Sequence, residues 1–523
     1  MSNPVRLKCA SIAILLSAAA SASAAPVAIA LSGAAAPSGG TYSAFANPVV
    51  NANGQVAFNA SLTGGTSTSG IFTGTPGSVQ AVALQGTAAP NGEPFGSLYT
   101  SATTELVTLN SSGQLAFNAP LTGGTPTSGV FTGTSAASLQ AVALQGSAAP
   151  AGGNYSAFLS QGTNTAYSPL INNAGQLAFQ SSLTGGTAAS GIFTGTSSAT
   201  LQTVALVGGA APTPPGGTYA TVVTVPTLNN AGQVAFVSIV SGEQGIFAGA
   251  PGSVQTVMFQ GTTAPGTGGA LYGTPTTSYS YNNAGQVGFI TTLTGGTSTN
   301  GVFAGAPGSV QPVALQGTTA PGTGGGTYGG LSSVTINGKG QAAFTAASLS
   351  GGTATSGLFF GAPGSVQPVA LAGGTAPDGE TYASFASTEL PNNAGQVAFI
   401  ANLSGADVVA GTNSIALFAG APGSLQEIVR QGEVINVDAP GTGVDDLTVS
   451  SINLLVGSGG QDGKGSDFSD TGDLAYRLTF TDGSSGVFES TVSAVPEPAS
   501  LGLLAAGATM LLGRSRRPFV KRR

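Results

Sequence analysis

Histidine and tryptophan are absent from this 523-residue chain, and its one cysteine, Cys9, stands close to the start. Without His there is no Ser-His-Asp triad and no imidazole ligation of zinc. A single Cys allows neither a disulfide framework nor a thiolate metal site. Charge is scarce as well, at 6% of residues. Disorder of the ordinary kind combines low hydrophobicity with high net charge. Here 41% of residues are hydrophobic and mean hydropathy is positive, so a core can form. What is abundant is Gly, with 83 residues, alongside Thr and Ser. That composition supplies many turns between short strands and predicts an all-β protein.

The two ends predict an address. Residues 1–24 begin with Arg6 and Lys8, continue through an apolar run from Ile12 to Ala20 and end on Ala22-Ser23-Ala24. This is the layout of a secretory signal peptide, and the run is too short to span a membrane well. Cys9 precedes the run, which argues against a lipoprotein. At the other end, Val495-Pro496-Glu497-Pro498 leads into an apolar stretch from Ala499 to Gly513 and then six basic residues, among them Arg514, Arg516 and Arg517. Physically this reads as one short membrane-spanning helix held by a basic cytoplasmic tail; the alternative is a buried terminal helix.

Residues Val495 to Arg523 resemble the PEP-CTERM sorting signal of bacterial surface proteins, with motif, helix and basic cluster in order. The resemblance implies recognition by an exosortase and release or attachment outside the cell, often beside exopolysaccharide. It implies nothing about activity. Between Ala25 and Ala494 four basic residues face eighteen acidic ones, a net charge of −14. Such a surface repels phosphate backbones, so nucleic acid is not an expected partner.

One motif recurs along the region from residue 25 to 493. It runs from Asn51 through Gly54 to Phe58, then Asn110-Gly113-Phe117, Asn172-Gly175-Phe179 and Asn229-Gly232-Phe236. It continues as Asn282-Gly285-Phe289, Asn337-Gly340-Phe344 and Asn392-Gly395-Phe399. A weaker eighth copy runs from Ser469 to Tyr476 with its Gly at 472. The spacing, 53 to 77 residues, suits a propeller blade better than a solenoid coil of about 20–30 residues. In the third unit Ala166–Asn172 reads as strand A, Gln176–Leu183 as B, a strand from Gly191 as C and one from Leu201 as D.

The ends of the array add a closure signal. Ala28–Pro37 aligns without gaps to Ala81–Pro90, so the array begins with a lone strand D. The eighth unit stops at strand C, near Gly486. The N-terminal strand can complete it and leave no free sheet edge. The expected fold is therefore an eight-bladed β-propeller of four-stranded blades; a β-solenoid and stacked β-sandwiches are the alternatives. The array also resembles a family of bacterial surface proteins with tandem NxxGxxAF repeats and varied anchors, which carries no catalytic residues across.

Candidate chemistry is thin. The motif Asn and Gln could surround a ligand, but turn physics explains them: Asn caps the turn, Gly takes φ > 0, Ala packs closely and Phe fills space between blades. The Gly clusters lack the Lys and following helix of a phosphate loop. Asp462, Asp467, Asp470 and Asp473 lie close enough in sequence to suggest Ca²⁺, although a solvated insertion explains them too and the spacing is not an EF-hand. Glu93, Glu105, Glu243, Asp378, Glu380 and Glu389 show no pairing of the kind hydrolysis needs. No cofactor is expected. The function predicted is a non-enzymatic surface scaffold or interaction module; the rivals are a carbohydrate-binding propeller and a polysaccharide-active enzyme. On a propeller the D–A and B–C loops share one face, rich in Thr, Ser, Gly and Pro, and that face is where a ligand would be expected.

Overall fold

The computed structural model describes residues 25–37, 39–99, 107–150, 152–158, 169–222, 226–386, 390–437, 446–454 and 466–493. The readings made for residues 1–24 and 494–523, including Val495 to Pro498 and the basic tail, lie outside them. Among the described residues the only helical element is a three-residue 3-10 turn, Ala136–Ser138, and no helix is long and apolar enough to cross a membrane.

The strands form eight blades. In the first, Val56–Thr63 (strand B) pairs antiparallel with Ser69–Thr75 (C), and C pairs with Ser78–Leu84 (D). The innermost strand, A, comes in two pieces, Thr41–Phe45 and Val49–Val50, both paired with B. The third unit repeats this with Leu177–Thr184, Ser190–Gly195 and Gln202–Leu206 as B, C and D. Its strand A differs from the sequence reading. Of the expected strand, residues 166–168 lie outside the described ones and Leu170–Ile171 is strand, while a second piece, Asn154–Phe158, lies in what reads as the D–A loop. The reason is local: this piece is four to five residues of Ser, Ala and Tyr among Gly and Pro, so its turn residues outweigh its alternation. An aromatic residue at its start, Tyr42, Tyr155 or Tyr382, is the signal that marks it.

Closure follows the expected route. Val27–Leu31 pairs antiparallel with Ser485–Thr491, the third strand of the eighth blade, with Ala30 opposite Val487 and Leu31 opposite Gly486. Ser32 donates its Oγ proton to the Ser485 carbonyl and also accepts from the Ser485 amide. The chain then passes Val492, whose amide donates to Gly472 O, and reaches Ser493, whose carbonyl accepts from Gln396 Nε2 at 3.3 Å.

The core lies between blades, in eight apolar clusters, one at each junction. The motif Phe stacks on the strand C Phe of its own blade, as in Phe58–Phe72 at 5.7 Å and 22°. The Tyr that opens strand A then meets the second ring edge-on, as in Tyr42–Phe72 at 5.1 Å and 77°. These are the offset and edge arrangements that ring quadrupoles favour. The motif Ala, such as Ala57, faces the next blade's rings. A Cβ on Gly70 of strand C would come within 2.7 Å of Leu84 Cδ2 and 3.0 Å of the Phe72 ring, so any larger residue would have to displace both side chains.

Candidate functional site

The motif turn does what turn physics predicts. Asn282 Oδ1 accepts from the amides of Ala284 (3.1 Å) and Gln286 (2.8 Å), and Gly285 has φ +74°. A second role was not legible in the sequence. Asn282 Nδ2 also donates to Asn337 O in the next blade, at 2.9 Å. Asn51, Asn110, Asn172, Asn229, Asn337 and Asn392 make the same donation to the following blade at 2.9–3.2 Å. The motif Asn side chains thus tie the inner strands head to tail around the axis. All seven are nearly inaccessible, so they are positioned for structure rather than for gripping a ligand. The ring has one gap: Ser469 stands at the eighth position and makes no such bond to Asn51 O, while Thr471 Oγ1 reaches Ala52 O at 3.1 Å.

The Asp cluster of the eighth unit is drawn into the same framework. Asp470 accepts from Asn393 N (2.7 Å) and Asn393 Nδ2 (2.8 Å) in blade 7. Asp473 accepts from Thr471 Oγ1 and Thr491 Oγ1. Asp467 is fully buried and its backbone carbonyl accepts from Ala475 N. Asp462 lies outside the described residues. Among the described residues no three His, Cys, Asp or Glu side chains are grouped to hold a metal ion.

Folding does gather acids that the sequence leaves unpaired. On blade 7, Arg430 Nη1 meets Asp378 Oδ2 at 2.8 Å and Nη2 meets Glu380 Oε1 at 3.8 Å. The Arg430 amide donates to Glu433 Oε2, and Glu427 lies on the same strand, Ser424–Arg430. Aligning units would have exposed this: Arg430 takes the place of Leu84, and Glu427 that of Ala81. Burial, then the charge of Asp378, pushes the Glu427 carboxyl up to about 7. Burial, then Asp473, does the same for Glu489 at the seam, also to about 7. Glu93 and Glu243 stay apart from this group, while Glu105 and Glu389 lie outside the described residues.

These two carboxyls carry a pH prediction. Each holds its proton in the folded state over a window, about pH 4.5 to 7, in which the unfolded chain has released it. Stability therefore falls as pH rises through that window and levels off above it. Thermal unfolding is expected at higher temperature at pH 5 than at pH 8. Glu427→Gln and Glu489→Gln should each flatten the profile and, at pH 8, stabilise by about 1 kcal/mol after allowing for partial solvent screening. An unchanged profile in both variants would contradict the assignment.

Outside the ring, three grooves of like construction run along the rim between adjacent blades. Their volumes are about 750, 470 and 370 Å³. Each is floored by strand D of one blade, backed by the next blade's opening Tyr (Tyr272, Tyr382 or Tyr219) and bounded by that blade's C–D turn. Pro, Val, Ala and Thr dominate the lining, and no Asp, Glu, Lys or Arg contributes to it. The hydroxyls of Tyr272 and Tyr382 are buried without a protein hydrogen-bond partner, and burial pushes both phenols well above their usual range.

An all-β ring of eight four-stranded blades, with grooves repeated along its rim, defines a β-propeller. The chain matches the model of a family of unknown function, DUF7453, twice, over residues 13–300 and 241–502, and it belongs to that family. No curated protein matches it. Among solved structures it is similar to a puromycin-hydrolyzing peptidase of Mycobacterium tuberculosis (11% identity, TM-score 0.37, 83% of this chain and 58% of that one). It is also similar to prolyl oligopeptidase B from Galerina marginata (10%, 0.40, 86% and 55%) and to a polysaccharide lyase, PL25 ulvan lyase (9%, 0.30, 86% and 95%). The chain thus spans just over half the length of the two peptidases. At these TM-scores the likenesses bear on neither substrate nor reaction.

Proposed function

We propose that this protein is an exported, non-enzymatic interaction scaffold of the cell surface or extracellular matrix, sorted through its C-terminal segment by an exosortase, with extracellular polysaccharide as its partner class. The observation that carries the reading is the repetition of one rim groove at three blade junctions, none lined by a charged side chain. An active site is built once, from convergent titratable groups. A surface that repeats suits a repeating polymer, because linked weak sites add avidity without new contacts. The carbohydrate-binding reading is favoured by the backbone and hydroxyl groups in these grooves, and the absence of Trp restricts it to shallow contacts.

The test is binding of the full-length chain to polysaccharide from a producing culture. Thr263 and Thr375 are exposed, equivalent residues lining two of the grooves. Replacing both with Trp fills the grooves and should weaken retention tenfold or more. Unchanged retention in the double variant, or turnover of the polymer by the parent chain, would remove the reading. Export is tested separately: protease added to intact cells should reach the parent chain and not a variant in which Pro496, Glu497 and Pro498 are replaced by Ala.

A further inference from the structure

The residue after the motif Phe lies on strand B and faces the next blade. Around the ring this position holds Asn59, Asn118, Gln180, Val237, Ile290, Thr345 and Ile400, all neutral, so seven blades form without a charge there. The eighth holds Arg477, a residue only 8% exposed. Arg477 Nε donates to Asn47 Oδ1 at 3.2 Å and Nη1 to Thr479 Oγ1 at 3.4 Å, both neutral acceptors. Among the described residues Nη2 makes no hydrogen bond and no carboxylate pairs with this guanidinium. Arg430, by contrast, has two carboxylate partners.

A largely buried guanidinium with no carboxylate partner among the described residues is costly unless something else neutralises it. Two polar neighbours flank it: Asn47 from the break in blade 1's inner strand, and Tyr99 from blade 2, close enough to interact electrostatically with Arg477. The net charge of −14 on the propeller region disfavours multiply charged anions, which points to a single negative charge. We propose that Arg477, with Asn47, Thr479 and Tyr99, forms an oxyanion-binding site at the seam, taking the carboxylate or sulfate-ester group of an otherwise neutral ligand. The planar fork of Arg477 suits either group through paired N–H donors. This site stands apart from the rim grooves and does not depend on them.

The experiment is calorimetric titration and thermal unfolding of the full-length chain with glucuronate, glucose 6-sulfate, inorganic phosphate and glucose. Glucuronate or the sulfate ester is expected to bind and raise Tm, with glucose doing neither. Preference between the first two identifies the group. Arg477→Asn places at this position the residue that blades 1 and 2 carry, so the blade can still form. That variant should lose anion binding at least tenfold while its ligand-free Tm stays level or rises. Arg477→Lys, which keeps charge without the planar fork, should bind several-fold more weakly than the parent. A purely structural Arg477 gives the opposite pattern: Arg477→Asn lowers Tm, and no monoanion shifts Tm in the parent. That result, or tighter binding of phosphate than of either monoanion, overturns the proposal.

Discussion

Deleting Val27–Leu31 should cost at least about 4 kcal/mol and turn a monodisperse chain into an associating one. Three losses combine. Ile29 and Ala30 leave the junction between blades 8 and 1, at about 25 cal/mol per Å² of apolar surface. The hydrogen bonds to Ser485–Thr491 go with them, at about 1 kcal/mol each. The third loss is protection, since that strand becomes an unpaired edge bearing Val487 and Phe488. Equilibrium unfolding followed by size-exclusion chromatography measures both effects. A synthetic peptide of residues 25–37, added in trans, should restore the monodisperse peak. An unaltered midpoint and elution volume after deletion would show that closure does not run through this strand.

The second large effect is at the ring of motif asparagines. Asn282→Ala is expected to destabilise by about 3–4 kcal/mol, read as a drop in urea midpoint at constant slope. The change leaves two amide donors, the Asn337 carbonyl and Gln286 Oε1 without their partner around a buried side chain. Asn282→Asp keeps the cap but places an oxygen against the Asn337 carbonyl, so it should be no milder. The gap at the eighth position offers the converse. Ser469→Asn supplies the missing amide toward Asn51 O and should stabilise by about 1 kcal/mol. A loss under 1 kcal/mol for Asn282→Ala would reduce the motif to an ordinary turn.

Those two predictions mark what the sequence discloses and what it withholds. Repeat count, strand order B-C-D and closure were legible because each leaves a period-two apolar run or a gapless self-alignment, as Ala28–Pro37 does with Ala81–Pro90. The first half of strand A was not, because Thr41–Phe45 and its equivalents are too short and too flanked by Gly to outweigh their turn residues. The inter-blade donation by Asn was hidden for another reason. A capping Asn and a capping-and-bridging Asn are the same letter, and only the distance to the next blade separates them. The acids around Arg430 and the isolation of Arg477 depend on which unit departs from its neighbours. That is visible in the sequence once the units are superposed strand by strand.

Val492 and Ser493 lie beside Gly472 and Gln396, on the side of the motif turns. If the segment beyond Ser493 tethers the chain to a surface, the motif-turn side looks down at the attachment and the D–A and B–C loops point outward. A pull on the tether reaches Ser485–Thr491 first, the strand clasped by Val27–Leu31 on one flank and by Asp473–Phe480 on the other. Under such a tether, the clasp that completes the ring would also be the part of the molecule that bears mechanical load.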